Sequence, residues 1–534
     1  MTLCGVALVF LCALLLAHPI NLANSDTGRH LKNGELFFQN FQVHETNLYS
    51  YTYPDFPTIN HHWGGGVILN VVQQWFGFGG LSVFWIILML ATIVMLADAA
   101  RRESGWAATM LAFTLFLPLI TSRPEVRPET LSYLFTAIFL WLLLGWQRGD
   151  IRDHTLLITL PLLELLWVNL HIYFFLGGFL VFLFLIEHSM RSLRENIPGN
   201  GPRASMPAPQ GIQLFSGHST EWKRAKILGT TLILCGFASL INPAFIRGAL
   251  APLSIFTNFG YQLAENQSVW FLMHYGDFPL MRYYFVALGA LVVSWLIALP
   301  SLIKRHDPFP IALLLLSITI TTMAWFAFRN FALFGILGFV ITAGNLKTLR
   351  TWPMTPWKQD MIAIVLILGS VIGLYALRPD EWKAEAQSTG IGLKPGNLAA
   401  ADFMHRIDLR GPIFNNYDIG AYLIYTLYPD ERVFVDNRPE AYPASFFTDE
   451  LVPMQEKEDI WKTVDAREGF NAIIFYRRDL TEWGQGFMIR RVQDPQWAPV
   501  FVDDDILIFL RRNKRNAAIV GQYELPKSMF TVRR

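Results

Sequence analysis

The stretch GLSVFWIILMLATIVMLA, residues 80–97, runs for 18 positions without a charged side chain. At 1.5 Å of rise per residue a helix of that length covers about 27 Å, close to the hydrocarbon thickness of a bilayer. Comparable runs lie near 3–17, 105–121, 129–146, 155–170, 172–187, 226–242, 283–303, 309–327, 331–345 and 361–377. Those shorter than about 20 residues require local thinning of the bilayer or a partly re-entrant path. The pair 155–187 reads as two spans or as one long helix broken near His171. Residues 3–17, followed by His18-Pro19, fit either a first span or the apolar core of a signal peptide.

Composition agrees: 53% of the 534 residues are hydrophobic and only 16% are charged, against about 25% charged in soluble domains. The net charge of +1 gives no argument for nucleic acid as a partner. Cys4, Cys12 and Cys235 all sit in apolar runs, so neither a disulfide framework nor a zinc spacing is present. The expected fold is a polytopic α-helical membrane bundle of about eleven spans over residues 1–378, with a C-terminal extracytoplasmic α/β domain over 379–534.

Basic residues between spans set the sidedness. With the first large loop, 18–79, placed outside, the inside connections hold 15 Lys and Arg, beginning with Arg101, Arg102, Arg148 and Arg152. The outside connections hold seven. The expected location is the inner membrane, multi-pass, with the terminal domain periplasmic. Pro198, Pro202, Pro207 and Pro209 mark 188–225 as a cytoplasmic linker.

Within 379–534 charge rises and apolar runs shorten. Pro412–Asn415, Arg432–Val435 and Ala472–Phe475 read as buried strands, with helices near 418–427 and 457–467 between them. Strands near 498–502 and 506–511 are expected as antiparallel partners, joined at Asp503-Asp504-Asp505 by a hairpin turn or, less simply, a cation site. Asp436-Asn437-Arg438 follows a predicted strand end, where α/β folds hold ligands; Asp436 and Arg438 are acceptor-binding candidates or a salt-bridged turn. No glycine-rich phosphate loop is present.

The outer ends of the spans collect the unusual side chains: Asp26, Arg29 and His30; His61 and His62; Arg123 and Arg127; His171; Glu265; and Arg329. Charge near a bilayer is costly, so clustering there marks a site, although a lone arginine often only reaches for head groups. Two arginines in Arg123-Pro-Glu-Val-Arg127 suit a phosphate, which guanidinium groups bind bidentately. Glu164, inside the fifth span with Trp167 and His171 on its face, is a functional group or an interhelical hydrogen bond. His30, His61 and His62 match no metal motif. Gly64-Gly65-Gly66 opens an amphipathic run to Phe76 that is expected in the outer interface plane.

Asp26-Thr-Gly-Arg-His-Leu-Lys-Asn-Gly-Glu35, Ser50-Tyr-Thr, Asn60-His-His-Trp63, Arg127-Pro-Glu129, Trp167-Val-Asn169-Leu-His171, Asn242-Pro243, Arg329, Gly420-Ala-Tyr-Leu-Ile-Tyr and Val433-Phe-Val-Asp-Asn-Arg438 together resemble bacterial members of the GT-C glycosyltransferase superfamily. The resemblance covers nearly the whole chain. It implies a multispan bundle with a large first outer loop and transfer of a sugar from a polyprenyl-phosphate carrier to a glycan, lipid or protein acceptor. It makes Asp26 the catalytic base and Arg123, Arg127 or Arg329 the stabilisers of the leaving phosphate. His30, Glu45, His61, His62, Glu164, His171 and Glu265 remain further candidates. The chain departs from the family where a second acid is usual: Asn47 stands there, with Glu45 two residues away. The cofactor is therefore open, a divalent cation or none. The competing readings are a non-catalytic glycan-binding or scaffold subunit of an envelope polysaccharide system, and a transporter.

Overall fold

The chain is described from a computed structural model over residues 3–195, 220–275, 278–305, 309–347, 389–479 and 481–530, with a few positions between 355 and 369. Most of the expected span 361–377 and of the linker 188–225 lies outside the described residues.

The apolar runs become helices α1 (Leu3–Leu16), α3 (Trp63–Ser104), α4 (Trp106–Ile120), α5 (Glu129–Arg148), α6 (Asp153–Trp167), α7 (Phe175–Glu195), α8 (Thr220–Ser239), α11 (Pro279–Arg305), α12 (Ile311–Phe326) and α13 (Phe331–Asn345). Between them lie α2 (Thr27–Asn40), α9 (Phe245–Leu250) and α10 (Val269–Tyr275). Among the described residues, five helices are long and apolar enough to cross a membrane: α3, α5, and those within Ile172–Arg194, Pro279–Pro300 and Phe328–Asn345. α5 is built for its dipole, with Glu129 in its first turn, Arg148 in its last and Gly149 closing it at positive φ. α4 and α13 pack closely because Gly335 and Gly338 leave room for Ile120 and Phe116.

The run from Gly64 is helical, and a kink divides it from the span that follows. α3 is interrupted only at Gly77, whose φ of 65° no β-carbon residue adopts readily. α6 and α7 are two helices, joined by a turn through His171.

The C-terminal part carries α14 (Ala399–Arg406), β1 (Ile413–Asn415), α15 (Gly420–Leu427), α16 (Val452–Glu456), α17 (Glu458–Glu468), β2 (Ala472–Tyr476), α18 (Glu482–Gln493), β3 (Trp497–Val502), β4 (Ile506–Arg511) and α19 (Ala517–Tyr523). The sheet order is β1-β2-β4-β3, with β1 parallel to β2 and the other pairs antiparallel. Alternation sorts its side chains. Ala472, Ile474, Ile506, Ile508 and Leu510 face a core shared with the first loop, containing Leu22, Leu31 and Tyr49. Ile473, Phe475, Leu507 and Phe509 face an aromatic core around Trp461 and Phe487. The first loop and the terminal domain therefore sit at the same end of the bundle. Asp503 forms the hairpin turn, its carboxylate accepting the Asp505 and Ile506 N–H groups at 2.8 and 2.7 Å.

The expected strand Arg432–Val435 does not enter this sheet. Its extended backbone is taken by other partners. Val433 N–H donates to Tyr49 O and Tyr51 N–H to Val433 O, at 3.0 and 3.2 Å. The Asn415 amide holds the other side, donating to Val435 O at 2.7 Å and accepting from Phe434 N–H at 2.9 Å.

Candidate active site

Asp26 caps the start of α2 yet makes no side-chain capping bond, so its carboxylate is free to face outward from the helix. Thr27 Oγ1 donates to Val126 O at 2.8 Å and thereby ties this end of α2 to the Arg123–Arg127 connection. Three cationic or N–H groups meet the half-buried carboxylate: His30 Nε2 at 3.3 Å, Arg29 at 3.7 Å and Arg127 Nε at 3.7 Å. Burial alone raises an acid's pKa; here Arg127, the His30 hydrogen bond and Arg29 outweigh it and hold Asp26 well below the usual range.

Arg127 extends the network to Glu265. Glu265 Oε2 accepts from Arg123 at 2.9 Å and Arg127 at 3.1 Å, and its Oε1 lies 3.4 Å from Arg329. Arg123 Nε also lies 3.3 Å from Glu129 Oε2, while Glu129 Oε1 accepts from Tyr133 OH at 2.7 Å. Burial opposes ionisation of Glu265, and Arg329, Arg123 and Arg127 reverse it, leaving its pKa far below normal. Four guanidinium groups, of Arg29, Arg123, Arg127 and Arg329, thus meet three carboxylates, of Asp26, Glu129 and Glu265.

Behind Asp26 three imidazoles form a file. His30 and His62 are 5.3 Å apart and His62 and His171 4.8 Å, centroid to centroid. The triple glycine makes this approach feasible. A β-carbon on Gly66 would stand 2.7 Å from His30 O, and one on Gly64 2.7 Å from Asn169 O. Trp167 Nε1 donates to Ser132 Oγ at 2.7 Å, which leaves the serine proton for His171 Nδ1, also at 2.7 Å. Tyr173 N–H donates to the same nitrogen at 3.3 Å, so Nδ1 is the unprotonated one. Burial, then Arg29, lowers the pKa of His30; burial, then His171, lowers that of His62. The file is neutral at physiological pH.

The sequence candidates divide accordingly. Asp26, His30, His62, Arg123, Arg127, His171, Glu265 and Arg329 converge. His61 touches the file only at its edge, 6.3 Å from His62, and Glu45 is exposed beside His61 on a small hollow. Glu164 stands apart, buried in the bundle, where one oxygen accepts from Ser239 Oγ at 3.1 Å and the other has no partner. Asp436 and Arg438 bind each other bidentately at 2.7 Å, with Tyr442 OH on the acid at 3.2 Å. Asn47 accepts from Arg438 at 2.6 Å and donates to Ala441 O at 3.0 Å, so its hydrogen bonds serve that turn and not Asp26. The turn still adjoins the site, because Arg29 Nε donates to Asn437 Oδ1 at 3.2 Å.

Arg29 stood in the outer cluster read from the sequence but was given no role, and Glu129, two residues from Arg127, was not singled out as a site residue. A second acidic group was missed entirely. Because β1 and β2 are parallel, the residues after them, Asp418 and Asp479, share one sheet edge. Asn416 Nδ2 bonds Asp479 at 2.9 Å, and Tyr261 stacks on Tyr417 at 4.4 Å. Burial, with Asp479 beside it, pushes Asp418 up to about 7.

No family model and no curated protein matches the chain. Solved structures do. The archaeal oligosaccharyltransferase AglB of Archaeoglobus fulgidus, in complex with an inhibitory peptide and a dolichol-phosphate, superposes with a TM-score of 0.57 at 13% identity, over 98% of this chain and 75% of that one. The A. fulgidus oligosaccharyltransferase tethered to an acceptor peptide gives 0.56 at 13%, over 95% and 74%. Its complex with Zn and sulfate gives 0.51 at 14%, over 92% and 71%. At such identities the likeness is one of fold, the helical bundle with its terminal domain that this chain shares with those oligosaccharyltransferases.

Proposed function

We propose that this chain is a GT-C glycosyltransferase that moves a sugar from a polyprenyl-phosphate donor to an acceptor on the outer face of a bacterial inner membrane. The observation that carries the reading is Asp26 set against a cluster of guanidinium groups at the loop-bearing end of the bundle. A structural neighbour holding a dolichol-phosphate and another holding an acceptor peptide support it.

In this reading the bond between the sugar C1 and the phosphate oxygen breaks, and its electron pair leaves with the phosphate. Arg123, Arg127 and Arg329 stabilise that charge. The acceptor oxygen bonds to C1 and its proton passes to Asp26. The lowered pKa of Asp26 keeps the base ionised but makes it weak. A weak base suffices, because the acceptor hydroxyl becomes acidic as it bonds to the electron-poor carbon. Asp436 and Arg438 act by holding the 436–441 turn, which presents Asn437 to Arg29.

The test is transfer by the purified protein from polyprenyl-phosphate sugars, parent against Asp26→Asn. The variant should insert normally and lose about 10²- to 10⁴-fold in rate. Because the folded pKa of Asp26 is depressed, the parent's rate should hold through the ordinary carboxylate range and fall only below it. Undiminished transfer by the variant would refute the role.

A further inference from the structure

We infer that the guanidinium groups of Arg123 and Arg127 stand where a divalent cation would have to stand, so that the site takes a donor with a single phosphate and works without metal. This rests on the glycosyl-transfer reading above and names the donor class for it.

A structural neighbour complexed with Zn raises the question of a cation, and the donor set here answers it poorly. A hard divalent ion needs about six oxygen ligands with open lone pairs within about 2.6 Å. The available acids are Asp26, Glu129 and Glu265, and each already faces a cation, although Asp26 Oδ1, 3.7 Å from Arg127, has no hydrogen bond. Glu265 Oε2 accepts from both Arg123 and Arg127, and its other oxygen faces Arg329. Glu129 offers one oxygen to Arg123 and the other to Tyr133. Asp26 faces His30, Arg29 and Arg127. Arg127 lies between Asp26 and Glu265, so an ion bridging those two acids would press directly against its positive charge. Among the described residues no three His, Cys, Asp or Glu side chains converge as a metal cluster.

The charge count points the same way. Among the buried and half-buried groups in contact, four guanidinium groups against three carboxylates leave one positive charge, with Glu125 close by but exposed to solvent. A phosphodiester between a prenyl chain and a sugar carries one negative charge and balances it. A diphosphate carries more and would call for a further cation. Donors for the phosphate are also in place: Arg123, Arg127 and Arg329 each keep a buried Nε–H without a hydrogen bond, those of Arg123 and Arg127 facing Glu129 at 3.3 Å and Asp26 at 3.7 Å and that of Arg329 without such a contact among the described residues. These point to an oxyanion ligand, not to a cation.

Manganese titration followed by electron paramagnetic resonance, on the chelator-stripped full-length protein, decides the metal question without any need for turnover. The parent should bind Mn²⁺ no better than millimolar. Arg127→Gln, which removes the positive charge lying between Asp26 and Glu265, should bind it at least tenfold more tightly. Arg127→Lys, which keeps the charge, should not. Equal binding by all three, or tight binding by the parent, overturns the inference. In parallel, transfer from a prenyl monophosphate sugar should stay within twofold in EDTA, and the matching diphosphate donor should be at least tenfold poorer. A loss above tenfold in EDTA that Mn²⁺ restores, or a preference for the diphosphate, also overturns it. Absence of transfer under every condition would instead remove the glycosyl-transfer reading, with the Mn²⁺ result still standing for the site.

Discussion

Charged pairs gather at both ends of the bundle, and the two ends are built differently. At the end away from the terminal domain, Asp98 pairs with Arg101 and Arg102 on its own helix, three and four residues on, and Arg148 pairs with Asp150 two residues on. Arg102 and Asp150 are largely solvated, at 43% and 48% exposure. At the Asp26 end the partners come from separate connections: Arg123 reaches Glu265 across 142 positions of sequence, and only 12% of its side chain is exposed. Local, solvated pairs contribute about 0–1 kcal/mol. A buried network cannot lose one member without stranding the others. Charge alone therefore does not mark the site, nor does one long-range pair, since His188 meets Glu221 at 2.5 Å and Arg148 meets Glu103 at 3.0 Å at the other end; the convergence of several buried groups from separate connections does.

The largest effect should follow from cutting the buried network. Arg123→Gln leaves Glu129 and Glu265 without a shared counter-ion, and a loss of about 3–5 kcal/mol is expected. Arg102→Gln at the other end should change stability by less than about 1 kcal/mol. Thermal unfolding of the two variants in the same lipid nanodiscs makes the comparison. Equal shifts would mean that the two ends do not differ as argued.

An intermediate effect tests how the buried end is assembled. Gly66→Ala puts a methyl 2.7 Å from His30 O and must part α2 from α3. Overpacking of this kind costs about 1–3 kcal/mol, and transfer should fall with it because Asp26 and His30 ride on α2. Gly229→Ala, on α8 with open space at its β-carbon, should be neutral or slightly stabilising. Melting curves and transfer rates of both variants check this.

These contrasts also explain what could be read in the sequence. Helices announce themselves through local pattern, so residues 80–97 and most of the other apolar runs were legible as helices, as were β1, β2 and the β3–β4 hairpin. Arg432–Val435 was not, because an apolar extended run does not state its partner, and here the first loop and the Asn415 side chain claim it. That one misassignment redirected the strand-end rule to Asp436 and away from Asp418 and Asp479, which follow the strands that are in fact parallel. Asp26, Arg123, Arg127, Glu265 and Arg329 were recoverable from sidedness and family resemblance. Their pairing was not, since nothing local links position 123 to 265. The role of Gly64-Gly65-Gly66 was hidden for the same reason: the backbones it admits, at His30, Asn169 and Leu170, are distant in sequence.

The smallest effect extends the comparison to the acids at the β1–β2 edge, which are packed closely but have fewer cations to answer them. The folded pKa of Asp418, about 7, lies above its ordinary value of 3.8. Below pH 4 the carboxyl is protonated in both folded and unfolded chains and imposes no penalty. As pH rises toward 7 the unfolded chain ionises first, so the folded state loses stability across that window and little beyond it. Asp418→Asn removes the ionisation and should flatten that part of the profile, with a gain on the order of 1 kcal/mol at pH 8. That is well under the full conversion of about 1.4 kcal/mol per pKa unit, because the carboxyl keeps some contact with water. Melting temperatures of parent and variant between pH 4 and 8 provide the measurement. Parallel profiles would mean that Asp418 is answered by a cation or by solvent after all. The β1–β2 edge would then resemble the solvated end of the bundle more than the buried one.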